Sequence, residues 1–316
     1  MITRGITTIN GKRVDTAHLA AGDMEVALLS YGAITQSWRI GPRNIVLGYE
    51  DPSAYGADPY YMGAICGRLA NRVRGGRFPL AGAEVQLPLN HGTNTLHGGP
   101  EGLSSRHWQM EADTSANAVR LAHSSPDRES GFPGRADFEV VITLTETALT
   151  YDMRAEVDRP TPINLAQHNY YNLAGEGSVE DHVLSVPAER YLVAGEDLVQ
   201  TGRTAPVSDT RYDFRAARRL GDADSDGAGI DACLVLDSGT PGAVLSVPGG
   251  PTLSFFTGQP GMQVYNANTL GAPFAPFTAV CLEPEGFPDA VNHPDFPSQI
   301  VAPDVPYRQK LTIEVN

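Results

Sequence analysis

Cysteine is scarce in this chain, and its three copies are far apart: Cys66, Cys233 and Cys281. An odd, scattered set without C-x-x-C spacing excludes a disulfide framework and a thiolate zinc site; apolar surroundings mark all three as buried reduced thiols. Basic residues are also few, with 23 Lys and Arg against 37 Asp and Glu, a net charge of -14. A phosphate backbone repels such a surface, so no nucleic-acid partner is expected. No dense basic run suggests an anionic membrane. No apolar stretch approaches the roughly 18 residues of a membrane helix. The segment MITRGITTINGKRVDT lacks the apolar core of a secretory signal, so the expected location is the cytoplasm.

Helical periodicity is nearly absent. Only RAARRL (215–220) suggests a turn or two, which argues against alternating βαβ architecture. Short alternating runs punctuated by 33 glycines and 24 prolines are abundant. In LTYDMRAEV, Leu149, Tyr151, Met153, Ala155 and Val157 share one face, and in VVITLTE, Val140, Ile142 and Leu144 do. The two runs flank TET and predict an antiparallel hairpin. MEVALLSYGAITQSWRI, NIVLGYE, AVLSV, PTLSFF, GMQVYNAN, FTAVCLEPE and KLTIEV also read as strands. The expected fold is all-β, a large antiparallel β-sandwich with few short helices, with residues 1–316 as one domain.

The usual catalytic signatures are missing too. There is no HExxH, no zinc-spaced Cys/His cluster, no GxSxG elbow and no phosphate loop, so neither metal nor other cofactor is expected. Asp222, Asp224 and Asp226 have the spacing of a calcium loop, but position twelve is Cys233 and flanking helices are not indicated. His18, His107, His123 and His182 sit in polar or mixed contexts and read as surface residues.

Several polar stretches remain. CGRLANRVRGGRF groups Arg68, Asn71, Arg72, Arg74 and Arg77, a solvated turn or a polar clamp of oriented donors. NHGTNTLHGG carries two histidines, and its Gly98 and Gly99 permit close backbone approach to a ligand. INLAQHNYYNLAG places His168 in a strand-like, tyrosine-flanked segment, where an imidazole can move a proton or simply pack. Asp231 stands at the mouth of the apolar ACLVL and can hold hydroxyl groups. CLEPEGFPDAVNHPDFPS holds Glu283, Glu285, Asp289 and His293; a carboxylate within so apolar a strand as FTAVCLE is a candidate base or a strand-end cap.

Taken in order, these stretches resemble the aldose 1-epimerases, or galactose mutarotases. GRLANRVRGGRF is similar to that family's G-R-x-A-N-R segment and NTLHGG to its L-H-G-G motif. NLAQHNYYNLAG is similar to its N-x-x-x-H-x-Y-F-N-L-x-G block, with Tyr171 where Phe is usual. TGQPGMQVYNAN is similar to P-G-x-Q-x-Y-x-x-N. The last stretch is similar to L-E-x-Q-x-x-P-D-A-x-N-x-P-x-F-P, except that Glu285 replaces a common Gln. The resemblance implies a β-sandwich that interconverts the α and β anomers of a free aldose. His168 would be general acid and Glu283 general base. Asn71, Arg72, His97, Asp231 and Gln263 would hold the sugar. The partner would be a neutral monosaccharide, and the chain a monomer or homodimer. A non-catalytic sugar-binding protein, a glycosidase or lyase on a related sandwich, and an epimerase of hexose 6-phosphates are the alternatives.

If LEPE stays extended, Glu283 and Glu285 point to one face and repel. Glu283 is expected to be the buried one and Glu285 nearer the rim, with Pro284 marking an edge or strand end. With a net charge of -14 and no dense cationic cluster, neutral aldoses are expected to be preferred over hexose 6-phosphates. Comparing kcat/KM for glucose and glucose 6-phosphate checks this, and a clear preference for the phosphate would refute it.

Overall fold

The computed structural model describes residues 1–237 and 241–316. Antiparallel strands dominate, as the alternating sequence predicts. A nine-stranded sheet runs in the order Gln109–Asp113, Ala118–Ser125, Ala136–Leu144, Ala148–Val157, Tyr307–Val315, Thr252–Thr257, Ala243–Ser246, Val183–Ser185, Arg218–Arg219. A six-stranded sheet runs Tyr170–Tyr171, Val280–Glu285, Gly261–Tyr265, Asp231–Val235, Arg190–Ala194, Gln200–Pro206. A five-stranded meander begins the chain, from Ile2–Ile9 to Arg43–Asn44.

The hairpin around TET forms as the pattern predicts, with Ala136 paired to Val157 and Leu144 to Leu149. Its inward residues Phe138, Val140, Ile142, Tyr151 and Met153 meet Leu234, Met262, Val264, Leu282 and Tyr171 of the six-stranded sheet in one apolar core. Trp38, Leu28 and Val26 bring the N-terminal meander into that core. Its tyrosine hydroxyls are paired: Tyr151 OH lies 2.8 Å from Thr35 Oγ1, and Asn169 Nδ2 reaches Tyr151 OH (3.3 Å) and Tyr171 OH (3.4 Å).

Three local expectations need correction. RAARRL is not helical before its last residue; Arg218–Arg219 forms an edge strand, and the one α-turn among the described residues, Leu220–Ala223, starts at its final leucine. NIVLGYE makes only one isolated bridge, Val46 to Tyr171, beyond the short strand at Arg43–Asn44. Its apolar residues fill the core without a ladder. His182 is completely buried: its Nε2 accepts the Leu173 amide at 2.8 Å, and burial pushes its pKa down to about 4. His107 and His123 are half-buried, and His18 is exposed.

Arg68 belongs to the frame. It is 2% exposed and donates to the carbonyls of Ser125 (3.1 Å), Pro126 (3.2 Å), Pro133 (3.2 Å) and Gly134 (2.8 Å), and to Ser125 Oγ. Burial lowers its pKa to about 10, so it remains a cation at neutral pH. Removing it takes this donor from four carbonyls, three of them in buried hydrogen bonds. Arg68→Met is expected to cost about 3–5 kcal/mol of stability. Urea unfolding measures the loss, and a change under about 1 kcal/mol would contradict this role.

Candidate active site

One face of the six-stranded sheet forms the floor of a cavity of about 560 Å³. Strand register explains which side chains reach it. Glu283 lies opposite Gln263, which lies opposite Cys233; Cys281 lies opposite Tyr265, which lies opposite Asp231. Directly opposed residues share a face, as do residues i and i+2. Cys281, Glu283 and Glu285 therefore share a face with Gln263, Tyr265 and Asp231. The alternate residues Leu282, Val264 and Met262 enter the core. Pro284 opposes Met262 on one side, while the strand on its other side pairs only at Val280 and Cys281. Its missing N–H thus falls where the ladder has no partner, as expected of an edge.

His168 sits between two short ladders, Ala166–Gln167 against Ile65–Cys66 and Tyr170–Tyr171 against Val280–Glu285. Its amide donates to Ala64 O (2.9 Å), and its carbonyl accepts from Gly63 N (3.0 Å). Asn169 and Tyr171 turn inward to the Tyr151 cluster, so His168 and Tyr170 face the cavity. His168 Nε2 lies 3.6 Å from Glu283 Oε2, and both side chains are almost fully buried. Burial pushes the imidazole down to about 4 and the Glu283 carboxyl well up, with Glu285 and Asp231 adding to the latter. Both shifts favour neutral groups, while their contact favours the ion pair. Together they hold one exchangeable proton.

Asn71 and His97 enter from two other segments, both with left-handed backbone (φ 60° and 50°). The Asn71 amide N–H donates to His97 Nδ1 at 3.2 Å. Nδ1 is thereby an acceptor, so neutral His97 carries its proton on Nε2. Burial and the neighbouring His168 lower its pKa well below the ordinary value. The turn after His97 requires glycine: a Cβ on Gly98 would stand 1.9 Å from Gly67 O. Asn71 Nδ2 donates to Gln263 Oε1 (3.1 Å) and Glu285 Oε1 (3.0 Å). Gln263 Nε2 continues to Asp231 Oδ1, and Asp231 pairs with Arg72 at 3.7 Å. Arg72 Nε is buried and has no hydrogen-bond partner among the described residues.

Glu285 departs from expectation. It is 1% exposed against 3% for Glu283, and the cavity lining includes Glu283 but not Glu285. It lies beneath the site because Asn71 and Asn164 reach it, the latter from Nδ2 to Oε2 at 3.4 Å. Burial raises its pKa to about 8, and these two donors restrain the rise.

The sequence motifs divide here. Asn71, Arg72, His97, His168, Asp231, Gln263 and Glu283 converge on one cavity. Of the proposed arginine clamp only Arg72 lines it. Asp289 accepts the Arg74 amide (3.1 Å) and Asn292 Nδ2 (2.6 Å) outside the cavity. Arg211 binds Asp224 and Asp226, each at 2.7 Å, and so fills the place a calcium ion would need. His91, the other histidine of NHGTNTLHGG, also lines the cavity, as do Tyr61, Tyr170 and Tyr265, none of them a site residue expected from the sequence. Tyr61 packs its ring 4.6 Å from that of His97. Tyr170 and Tyr265 had a readable signal, their two-residue offsets from His168 and Gln263 within the quoted motifs.

His97, His168 and Glu283 offer donor atoms within 4.8 Å of one another, a set that resembles a metal site. The tautomer of His97 argues otherwise. Its Nδ1 lone pair is engaged by Asn71, and Nε2 carries the proton, so the neutral ring presents no free lone pair to a metal.

Comparisons with known proteins point to one family. A family profile described as aldose 1-epimerase matches residues 15–314. The chain is 34% identical to galactose mutarotase of Mus musculus over 94% of this chain and 92% of the mouse protein. It is 35% identical to aldose 1-epimerase of Escherichia coli K12 over 87% of this chain and 86% of that protein. The crystal structure of a galactose 1-epimerase from Lactobacillus acidophilus superposes with a TM-score of 0.91 at 26% identity, covering 100% of this chain and 98% of that one. An aldose epimerase homologue from C. elegans gives 0.90 at 26% identity, over 95% of this chain and 98% of the other. With its motifs gathered around one cavity and its full-length likeness to these proteins, the chain belongs to the aldose 1-epimerase family.

Proposed function

We propose that this protein is an aldose 1-epimerase, interconverting the α and β anomers of a neutral aldose, with His168 as general acid and Glu283 as general base. The observation that carries this reading is the buried 3.6 Å contact between His168 Nε2 and Glu283 Oε2 at a cavity lined with hydroxyl-binding groups. Ring opening needs one proton removed from the C1 hydroxyl and one delivered to the ring oxygen. The Glu283 carboxylate takes the first while imidazolium His168 gives the second. The open-chain aldehyde then faces a neutral acid and a neutral imidazole. That is the state burial favours, so desolvation assists the opening step. Rotation about C1–C2 and reversal of both transfers closes the ring on either face. Each group contributes on the order of 10²–10⁴-fold.

The remaining groups suit a neutral polyol. His97 offers a fixed Nε2–H, while Arg72, Asp231 and Gln263 present donors and acceptors linked in one network. Arg72 is paired with Asp231, so the cavity has little unspent positive charge for a phosphate. The buried free thiols Cys66, Cys233 and Cys281 suit a reducing compartment, and the cytoplasm is part of this proposal.

His168→Asn and Glu283→Gln are each expected to lower the polarimetric rate on α-glucose or α-galactose by at least about 10²-fold while retaining the fold. Near wild-type anomerisation in either folded variant would refute the assignment. Glu285, with its two amide donors, ionises before Glu283, and its charge raises the proton affinity of the base. Glu285→Gln removes that charge, so the Glu283 pKa falls and the acidic limb of the kcat/KM profile should move to lower pH. Most activity at neutral pH should remain. A limb that stays put or moves up would contradict the coupling.

A further inference from the structure

The strand Val280–Glu285 touches the His168 imidazole at both nitrogens. Glu283 Oε2 stands 3.6 Å from Nε2, and Cys281 Sγ stands 3.7 Å from Nδ1. The two residues are i and i+2 on the same face, so one strand brackets the ring. The ring faces meet Tyr170 (5.1 Å between centroids) and Tyr61 (6.2 Å), and His97 approaches edge-on at 5.1 Å. Cys281 is fully buried; burial, with nearby Glu283 and Asp231, keeps its thiol protonated. A buried thiol held in that form is no nucleophile, and the acid–base pair does not need it as one.

We infer that Cys281 is a positioning residue for His168: its sulfur accepts the Nδ1–H and leaves Nε2 as the nitrogen that exchanges a proton with the sugar. This rests on the acid role proposed for His168. In that role the ring passes from imidazolium to neutral imidazole by losing the Nε2 proton, so Nδ1 keeps its proton throughout. A partner that accepts at Nδ1 is compatible with both states. The opposite tautomer, with Nδ1 accepting, would require the acid to end as an imidazolate. His97 and His168 are thus set in opposite senses: the Asn71 amide makes His97 a fixed donor at Nε2, and Cys281 keeps His168 exchangeable there. Sulfur is a weak acceptor. A carboxylate at Nδ1 would strengthen the base and tighten its hold on the Nε2 proton. The thiol orients the ring without doing so, which suits an acid that must release its proton to an ether oxygen.

The experiment compares Cys281→Val, Cys281→Ala and Cys281→Ser with His168→Asn by polarimetry on α-glucose across pH. Valine nearly fills the volume without an acceptor, and serine restores one. Val and Ala are expected to lower kcat about tenfold with KM within about twofold, because a misoriented acid affects the reacting step more than sugar binding. Ser should recover most of kcat and move the basic limb to higher pH, since a hydroxyl accepts more strongly than a thiol. Wild-type kcat in a folded Cys281→Val, or a Ser variant no better than Ala, would overturn the inference. An inactive His168→Asn beside a wild-type Cys281→Val would refute only the positioning role. An active His168→Asn would refute the acid itself.

Discussion

A carboxyl and an imidazole, almost sealed from water and 3.6 Å apart, set the terms for everything around them. Either charge alone in that place would be costly, and the pair is tolerable because a single proton can sit on either member. That constraint explains the surroundings. Asp231 is paired with Arg72, the Glu285 carboxyl is met by two asparagine amides, and His97 is held neutral by burial and by a backbone donor. The sheet supplies the rigidity. Strand alternation turns every second residue of three adjacent strands to the face that carries the cavity, and the others toward a core shared with the opposite sheet. The same spacing that builds the sandwich therefore fixes the pair's geometry.

The fold was legible in the sequence because its signals are local. Alternation in VVITLTE and LTYDMRAEV reflects one face in the core and one outside it, and the hairpin formed with the loop where expected. RAARRL failed for the same reason that local propensity often fails: Arg218 and Arg219 complete a sheet edge beside Val183 and Leu184, and tertiary pairing outweighs helix preference. His182 misled because polar neighbours in sequence say nothing about which residue donates to the ring. Leu173 does, nine positions earlier.

The site was legible only through motifs. Sheet register brings Asp231, Gln263 and Glu283 together, and separate segments add Asn71, His97 and His168; no periodicity reports a contact between residues a hundred or more positions apart. The placement of Glu285 shows the limit well. Its place after Pro284, at an expected strand end, suggested a rim, yet Asn71 and Asn164 draw it beneath the floor. Arg68 shows the converse. It shares a motif with Asn71 and Arg72, but its guanidinium ties four carbonyls together away from the cavity.

The strand Tyr307–Val315 lies in the middle of the nine-stranded sheet, between Ala148–Val157 and Thr252–Thr257. Each of its neighbours pairs with it and not with the other, so the two halves of that sheet are joined in their native register only once this strand is in place. The sheet opposite, which carries the cavity, packs its core against those halves. Assembly of the sandwich is therefore a late, long-range event, with unpaired strand edges open to chaperones or to aggregation until it occurs. Nascent chains stalled before residue 307 should consequently be a burden on quality control and contribute no partial enzyme.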